Sequence, residues 1–153
     1  MDRLELKIPP PLVALLLALA MGWAARHLPS VPLGFEVRLG AALAVALIGA
    51  VFSVGGAMAF RRAHTTVNPL EPRKASALVT SGVYRVTRNP MYVGLLFVLI
   101  AWSVWLASPL VLAGPLVFVP YITRFQIRPE ERVLAELFGA DYAGYLRRVR
   151  RWL

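Results

Sequence analysis

Three long stretches without an ionised side chain constrain this chain more than any other feature. Residues 8–25, 39–60 and 89–123 contain no Asp, Glu, Lys or Arg. The first two are 18 and 22 residues long, each about enough to cross a hydrocarbon core of roughly 30 Å as a helix. The third has 35 residues. As one straight helix it would be about 52 Å long, too long for a single span. Ser108-Pro109 falls near its middle, and proline disfavours helix at the residue before it and has no N–H to donate. The third run therefore predicts a helical hairpin, residues 91–107 and 110–123, joined by a tight turn. The expected architecture is all-α and integral to a membrane, with four spans, the last two short. Helices satisfy their own backbone polar groups, as lipid requires.

The flanking charges predict the orientation. Arg3 and Lys7 precede the first run, Arg26 and Arg38 lie between the first two, and Arg61, Arg62, Arg73, Lys74, Arg85 and Arg88 lie between the second and third. The Ser108-Pro109 turn has none, and seven arginines from Arg124 to Arg151 follow. Four spans put 15 of the 17 basic residues on one side and 2 on the other. By the positive-inside rule the richer side is cytoplasmic, so both termini, the second loop and the C-terminal segment are expected there. Ala18-Leu19-Ala20 resembles a signal-peptide cleavage site, but further spans follow it. The net charge of +9 tracks this topology and no nucleic-acid module is present, so the partner expected for the basic residues is an anionic membrane surface, not nucleic acid. With 58% hydrophobic residues and no cysteine, a disulfide framework, a thiolate zinc site and a Cys nucleophile are excluded. The two histidines have no metal-site spacing, so no metal is expected.

Gly49, Ser53 and Ala57 lie at four-residue spacing in the second run, which predicts close helix packing. Pro115 and Pro120 predict a kink in the last span. Two cytoplasmic segments carry candidate chemistry. The first, residues 61–89, is long for a connection and ends in Asn89-Pro90, where Asn suits an N-cap and Pro the first helical position. A helix N-terminus there would offer N–H donors and partial positive charge to an anion. The second begins at Arg128-Pro129-Glu130-Glu131, a helix start with two acids favouring the dipole. It runs through Leu134, Leu137 and Phe138 to a stop at Gly139. Tyr142, Tyr145, Leu146 and Val149 then predict an amphipathic helix on the membrane surface, with Arg147, Arg148, Arg150 and Arg151 on its polar side.

Ser81-Gly82-Val83-Tyr84, Arg88-Asn89-Pro90-Met91-Tyr92-Val93-Gly94, Glu130-Glu131 and Phe138-Gly139-Ala140-Asp141-Tyr142 with Tyr145 resemble, in order and spacing, the isoprenylcysteine carboxyl methyltransferases and their bacterial relatives. More distantly they resemble phospholipid N-methyltransferases. The resemblance covers about residues 61–153. It implies a single membrane-embedded methyltransferase domain over residues 1–153, with two N-terminal spans in 1–60 and the catalytic core in 61–153. It implies S-adenosylmethionine as cofactor, in a cytoplasmic pocket of the inner membrane, and a lipophilic or prenyl-like acceptor arriving from lipid. Carried over residue by residue, cofactor contacts fall on Ser76, Ala77, Leu78, Val79, Tyr84, Asn89, Pro90, Met91, Tyr92, Glu130 and Glu131. The family also has an arginine near the paired acids that faces substrate, for which Arg124 and Arg128 are the candidates, so the catalytic set is Arg128, Arg124 and Glu130. Many members have His where this chain has Asn89. Asn hydrogen-bonds but does not exchange a proton near neutral pH, so position 89 is expected to bind or cap, not to act as a base.

Blander roles compete at each position. Paired acids at a helix start serve the dipole, Tyr84 and Tyr92 suit interfacial anchors, and His64 is a lone histidine in a basic loop. Carboxyl O-methylation, N-methylation of an amine lipid, S-methylation of a small thiol and a non-enzymatic subunit of the same fold are all compatible with the pattern. The oligomeric state is not readable from it.

Overall fold

The computed structural model describes residues 5–64 and 72–153. Arg3, counted on the basic side above, and Thr65 and Thr66 of the second loop lie outside them. The described residues are helical apart from turns and one isolated parallel bridge, Thr87 with Arg150. Five helices follow in order: α1 Pro10–Ala25, α2 Phe35–Arg62, α3 Pro90–Leu106, α4 Ala113–Ile122 and α5 Arg128–Arg148. The run Phe35–Arg62 and the longer run Pro109–Arg148 are long and apolar enough to cross a membrane, while Pro10–Ala25 and Pro90–Leu106 are apolar but shorter.

The breaks fall where the sequence has cause for them. Pro10 and Pro90 open α1 and α3 at a position where a missing N–H costs nothing. α3 stops at Leu106, Ala107 turns left-handed with φ 50°, and Pro109–Leu112 forms a short 3-10 turn leading into α4. The expected hairpin is thus present. Its turn is tied to the first loop, since Val31 N–H donates to the Ala107 carbonyl at 2.7 Å and the Ser108 hydroxyl to the Pro29 carbonyl at 2.9 Å. Arg38, assigned to that loop from sequence, lies in the first turns of α2. It donates to the Trp105 carbonyl through Nε at 2.9 Å and again through a terminal nitrogen, capping the end of α3.

The α2–α3 contact rests on small residues. A Cβ on Gly94 would lie 2.8 Å from the Gly49 carbonyl oxygen and collide with Ser53. Gly56 also sits against Pro90 and Met91. The core beside it joins Leu99 of α3, Phe118 and Ile122 of α4, Ile127 beyond it and Met21 of α1.

α4 and the C-terminal helix α5 are nearly continuous, whereas a fresh helix start at Arg128 is the sequence expectation. Between them Thr123–Ile127 forms a π turn. Pro129, four residues after Phe125, has no N–H to give the Phe125 carbonyl. That carbonyl accepts instead from the Leu6 amide at 3.0 Å. Proline therefore bends the run here without ending it. The break expected at Gly139 is present, with φ 47° and ψ −118° inside α5. The final amphipathic helix is shorter than expected. It ends at Arg148, and Val149 is extended, so Arg150 and Arg151 do not share a polar helical face with Arg147 and Arg148.

Candidate active site

The N-terminus of α3, the start of α5 and the second loop enclose a cavity of about 820 Å³, counting its open mouth. Phe60, Leu78, Val79, Met91 and Leu134 supply apolar wall. Tyr84, Tyr92, Tyr142 and Tyr145 supply aromatic rings, and Arg88, Asn89, Glu130 and Glu131 the remaining polar groups. Nine of the eleven residues expected to bind cofactor thus converge here: Ala77, Leu78, Val79, Tyr84, Asn89, Met91, Tyr92, Glu130 and Glu131. Ser76 does not line the cavity. Its hydroxyl donates to the His64 carbonyl at 3.3 Å. Pro90 is buried under α2 and sets the helix start.

The two acids have different surroundings. Glu131 has a cation on each side. Arg151 donates from Nε to Oε1 at 3.0 Å and from a terminal nitrogen to Oε2 at 2.6 Å, and Arg88 donates to Oε1 at 2.8 Å. Burial pushes the Glu131 carboxyl up, but the hydrogen bonds from Arg151 and Arg88 outweigh it and hold it below the usual carboxylate value. Glu130 has only neutral partners. Tyr92 Oη donates to its Oε1 at 2.5 Å and Gln126 Nε2 to the same oxygen at 2.6 Å, leaving Oε2 without a donor among the described residues. Burial dominates at Glu130 and pushes its carboxyl up to about 7, against the opposing pull of the Gln126 and Tyr92 hydrogen bonds. Glu130 keeps some accessible surface, which lines the cavity, and the surrounding protein still disfavours its charged form.

The tyrosines are framework as well as lining. Tyr145 Oη donates to the Tyr84 carbonyl at 2.7 Å, and Phe60 meets Tyr84 edge-on at 5.4 Å. Burial pushes the phenols of Tyr84, Tyr142 and Tyr145 well above their ordinary range, so they stay neutral. Arg88 is the hub of the floor, donating to the Leu146 and Val149 carbonyls at 3.2 and 2.7 Å besides Glu131. Its buried Nε has no partner among the described residues. Asn89 occupies the N-cap position of α3, yet its side chain makes no capping bond. Its Nδ2 donates to the Arg151 carbonyl at 2.9 Å. Pro90 has no N–H and the Tyr92 and Val93 amides both return to the Asn89 carbonyl, which leaves Met91 as the first-turn amide available to a ligand.

Arg124 and Arg128 do not line the cavity. Arg124 pairs with Glu5 at 3.0 Å, and Arg132 meets the same carboxylate at 2.6 Å. Arg132 is two residues past Glu130, about 200° around the helix, so this cluster sits on the side of α5 away from Glu130. Arg128 is exposed. Sequence reasoning gave no cavity role to Arg88, Tyr142 or Tyr145, although all three stand inside or beside the quoted motifs.

The sequence profile of the phospholipid methyltransferase family matches residues 37–141, from the start of α2 past the paired acids. The chain belongs to this family. Among its curated relatives, protein-S-isoprenylcysteine O-methyltransferase B of Arabidopsis thaliana is 28% identical over 110 residues, 70% of this chain and 54% of that protein. The protein-S-isoprenylcysteine O-methyltransferase of Saccharomyces cerevisiae is 33% identical over 91 residues, 56% of this chain and 37% of that protein. An uncharacterized protein of Haemophilus influenzae is 44% identical over 63 residues, 41% of this chain and all of that protein. The chain thus spans about half the length, or less, of the isoprenylcysteine methyltransferases it matches. The family match includes Arg88, Asn89, Glu130 and Glu131 and stops before Tyr142, Tyr145 and Arg151.

Proposed function

We propose that this protein is an integral membrane methyltransferase that uses S-adenosylmethionine and methylates a lipophilic acceptor, with carboxyl O-methylation as the leading reaction. The observation that carries this reading is Glu130, a desolvated carboxylate in a cavity wall with two neutral donors and no cation among the described residues. Such a group calls for a cationic ligand. S-adenosylmethionine fits the residues present: its ammonium suits Glu130, its carboxylate the Met91 amide at the α3 N-terminus, and its flat base the aromatic and apolar wall. Glu131, already held by two arginines, is the less suitable acid. When bound, this cofactor supplies a methyl carbon on a sulfonium, which an acceptor oxygen takes as the carbon–sulfur bond breaks and its electron pair stays on sulfur.

The residues of the chain then have to bind, align and exclude water. A carboxylate acceptor is ionised at neutral pH and requires no base. Alignment of two reactants in a dry site is worth roughly 7–11 kcal/mol. The apolar wall and the neutral phenols keep the cavity dry without adding charge beside the reacting atoms.

The reading places the protein in the inner membrane with four spans, both termini and the cavity on the cytoplasmic side, the first 60 residues forming two spans and the remainder the catalytic core. Support comes from α2, where Leu43, Leu47, Val51, Val54 and Met58 are exposed along 28 residues, a surface suited to lipid and not to water. The relatives named for isoprenylcysteine O-methylation favour a prenyl-like acceptor. A second reading, N-methylation of an amine lipid, has the raised pKa of Glu130 behind it, since a protonated amine requires a base near neutral pH. It predicts a turnover at saturating cofactor that rises steeply with pH, which a carboxylate acceptor does not.

Calorimetry of S-adenosylmethionine against the detergent-purified protein and its Glu130→Gln variant tests the reading. Saturable binding that the variant loses is expected. No binding by folded wild-type protein, with or without lipid, would replace it with a non-enzymatic membrane subunit.

A further inference from the structure

The residues after α5 do more than trail from it. Val149 leaves the helix in an extended conformation, and each position from 149 to 152 is then fixed by a partner distant in sequence. The Val149 carbonyl accepts from the Arg88 guanidinium at 2.7 Å. The Arg150 carbonyl accepts from the Arg88 amide at 2.9 Å. The Arg151 carbonyl accepts from the fully buried Thr87 hydroxyl at 3.1 Å and from Asn89 Nδ2 at 2.9 Å. The Arg151 guanidinium forks onto both oxygens of Glu131, and Trp152 Nε1 donates to Thr123 Oγ1 at 3.0 Å. Arg88, Asn89 and Glu131 all line the cavity. The family match ends before this segment.

We propose that residues 149–152 are a positioning strap for the cofactor cavity, with Arg151 as the positioning residue. The proposal rests on the methyltransferase reading for the identity of the ligand. The physical case has two parts. Arg151 and Arg88 together neutralise Glu131 and immobilise it, so that Glu130 beside it remains the single carboxylate offered to a cation. A carbonyl only accepts, so the two contacts to the Arg151 carbonyl commit the Thr87 hydroxyl and the Asn89 amide nitrogen as donors. Asn89 Oδ1 is left without a donor among the described residues, and position 89 therefore faces a ligand as a hydrogen-bond acceptor of fixed orientation. A tail that merely clips the fold together would affect stability; a positioning strap also changes ligand affinity through Glu131.

The test uses the full chain in detergent, with S-adenosylmethionine as the calorimetric probe and hydrogen exchange of the peptide containing Arg88, whose amide bonds the strap, as a readout independent of ligand. Arg151→Ala, folded by circular dichroism, is expected to bind on the order of tenfold more weakly. Arg151→Lys, which keeps the charge and loses the fork, is expected to recover part of that loss, and stands in for the alanine variant should that one not fold. Glu131→Gln added to Arg151→Ala is expected to cost less than it does alone, because the fork is already lost and only the Arg88 contact remains to be removed. Arg148→Ala, which removes the same charge from an exposed position near the end of α5, is expected to bind as wild type. Unchanged affinity in Arg151→Ala, full additivity with Glu131→Gln, or an equal loss in Arg148→Ala would each overturn the proposal. If wild-type protein binds no S-adenosylmethionine, the functional reading fails by itself. The positioning role then falls with it: accelerated exchange at Arg88 in Arg151→Ala would reduce the strap to a clip of the fold, and unchanged exchange would remove even that.

Discussion

Between α2 and α3 two helices meet through Gly49, Ser53, Gly56 and Gly94, with Arg38 reaching the Trp105 carbonyl only at the far end of α3. A few residues away, where α3 begins, the chain meets α5 and the strap through Arg88, Glu131 and Arg151, and charge does most of the work. The first contact depends on the absence of atoms: backbones approach because no side chain stands between them, and many weak dispersion contacts follow. The second depends on a few directed bonds in surroundings of low dielectric, where each is strong when satisfied and its loss is expensive. The frame should therefore fail by steric exclusion, and the site by loss of a single partner.

The largest effect is expected in the frame. Gly94→Ala places a Cβ against Ser53 and the Gly49 carbonyl, and should destabilise the protein by about 3 kcal/mol, read as a lowered thermal midpoint in detergent. Unchanged stability would mean that α2 and α3 separate more readily than their glycines suggest. In the site, Glu131→Gln removes the carboxylate that Arg88 and Arg151 share and should cost about 2 kcal/mol. A cost equal to that of an exposed pair would show the triad to be solvated.

The next effect is in binding and depends on pH. A cationic ligand prefers ionised Glu130, whose carboxyl burial pushes up to about 7. Affinity for S-adenosylmethionine should fall as pH drops below about 7, by up to roughly tenfold per pH unit, and Glu130→Gln should bind weakly with that dependence removed. The same group acts on folding with a fixed sign. Its folded pKa lies above the ordinary 4.5, so without ligand its contribution to stability is present below about pH 4.5 and is lost as pH rises through about 7. The smallest effect is expected at Arg73–Glu136, paired at 3.0 Å with both side chains more than half exposed. Arg73→Ala should change stability by less than about 0.5 kcal/mol, which sets the baseline against which the Glu131 triad is measured.

Legibility from sequence divides along the same line. The helix start at Pro90, the turn at Ser108-Pro109 and the break at Gly139 could be read in advance, because apolar run length, proline and glycine are local signals, while Tyr84, Asn89, Tyr92, Glu130 and Glu131 came together as the family resemblance implied. Arg151 read as one more surface arginine, since nothing near it in sequence shows that it folds back onto Glu131. Arg124 read as a substrate clamp because it stands close to the paired acids along the chain. Around the helix it lies on the far side and meets Glu5, well over a hundred positions away.

What the sequence by itself determined is the set of helices and the chemistry available at one end of them. Whether a segment can lie in lipid depends on its own side chains and on where proline interrupts it, and both are written in order along the chain. Only the tertiary structure decided how that chemistry is shared. Glu130 and Glu131 are adjacent and chemically alike, and neither composition nor spacing distinguishes them. They differ because successive residues on a helix point about 100° apart. One carboxylate therefore meets two arginines brought in from the second loop and the strap, and the other meets only Tyr92 and Gln126.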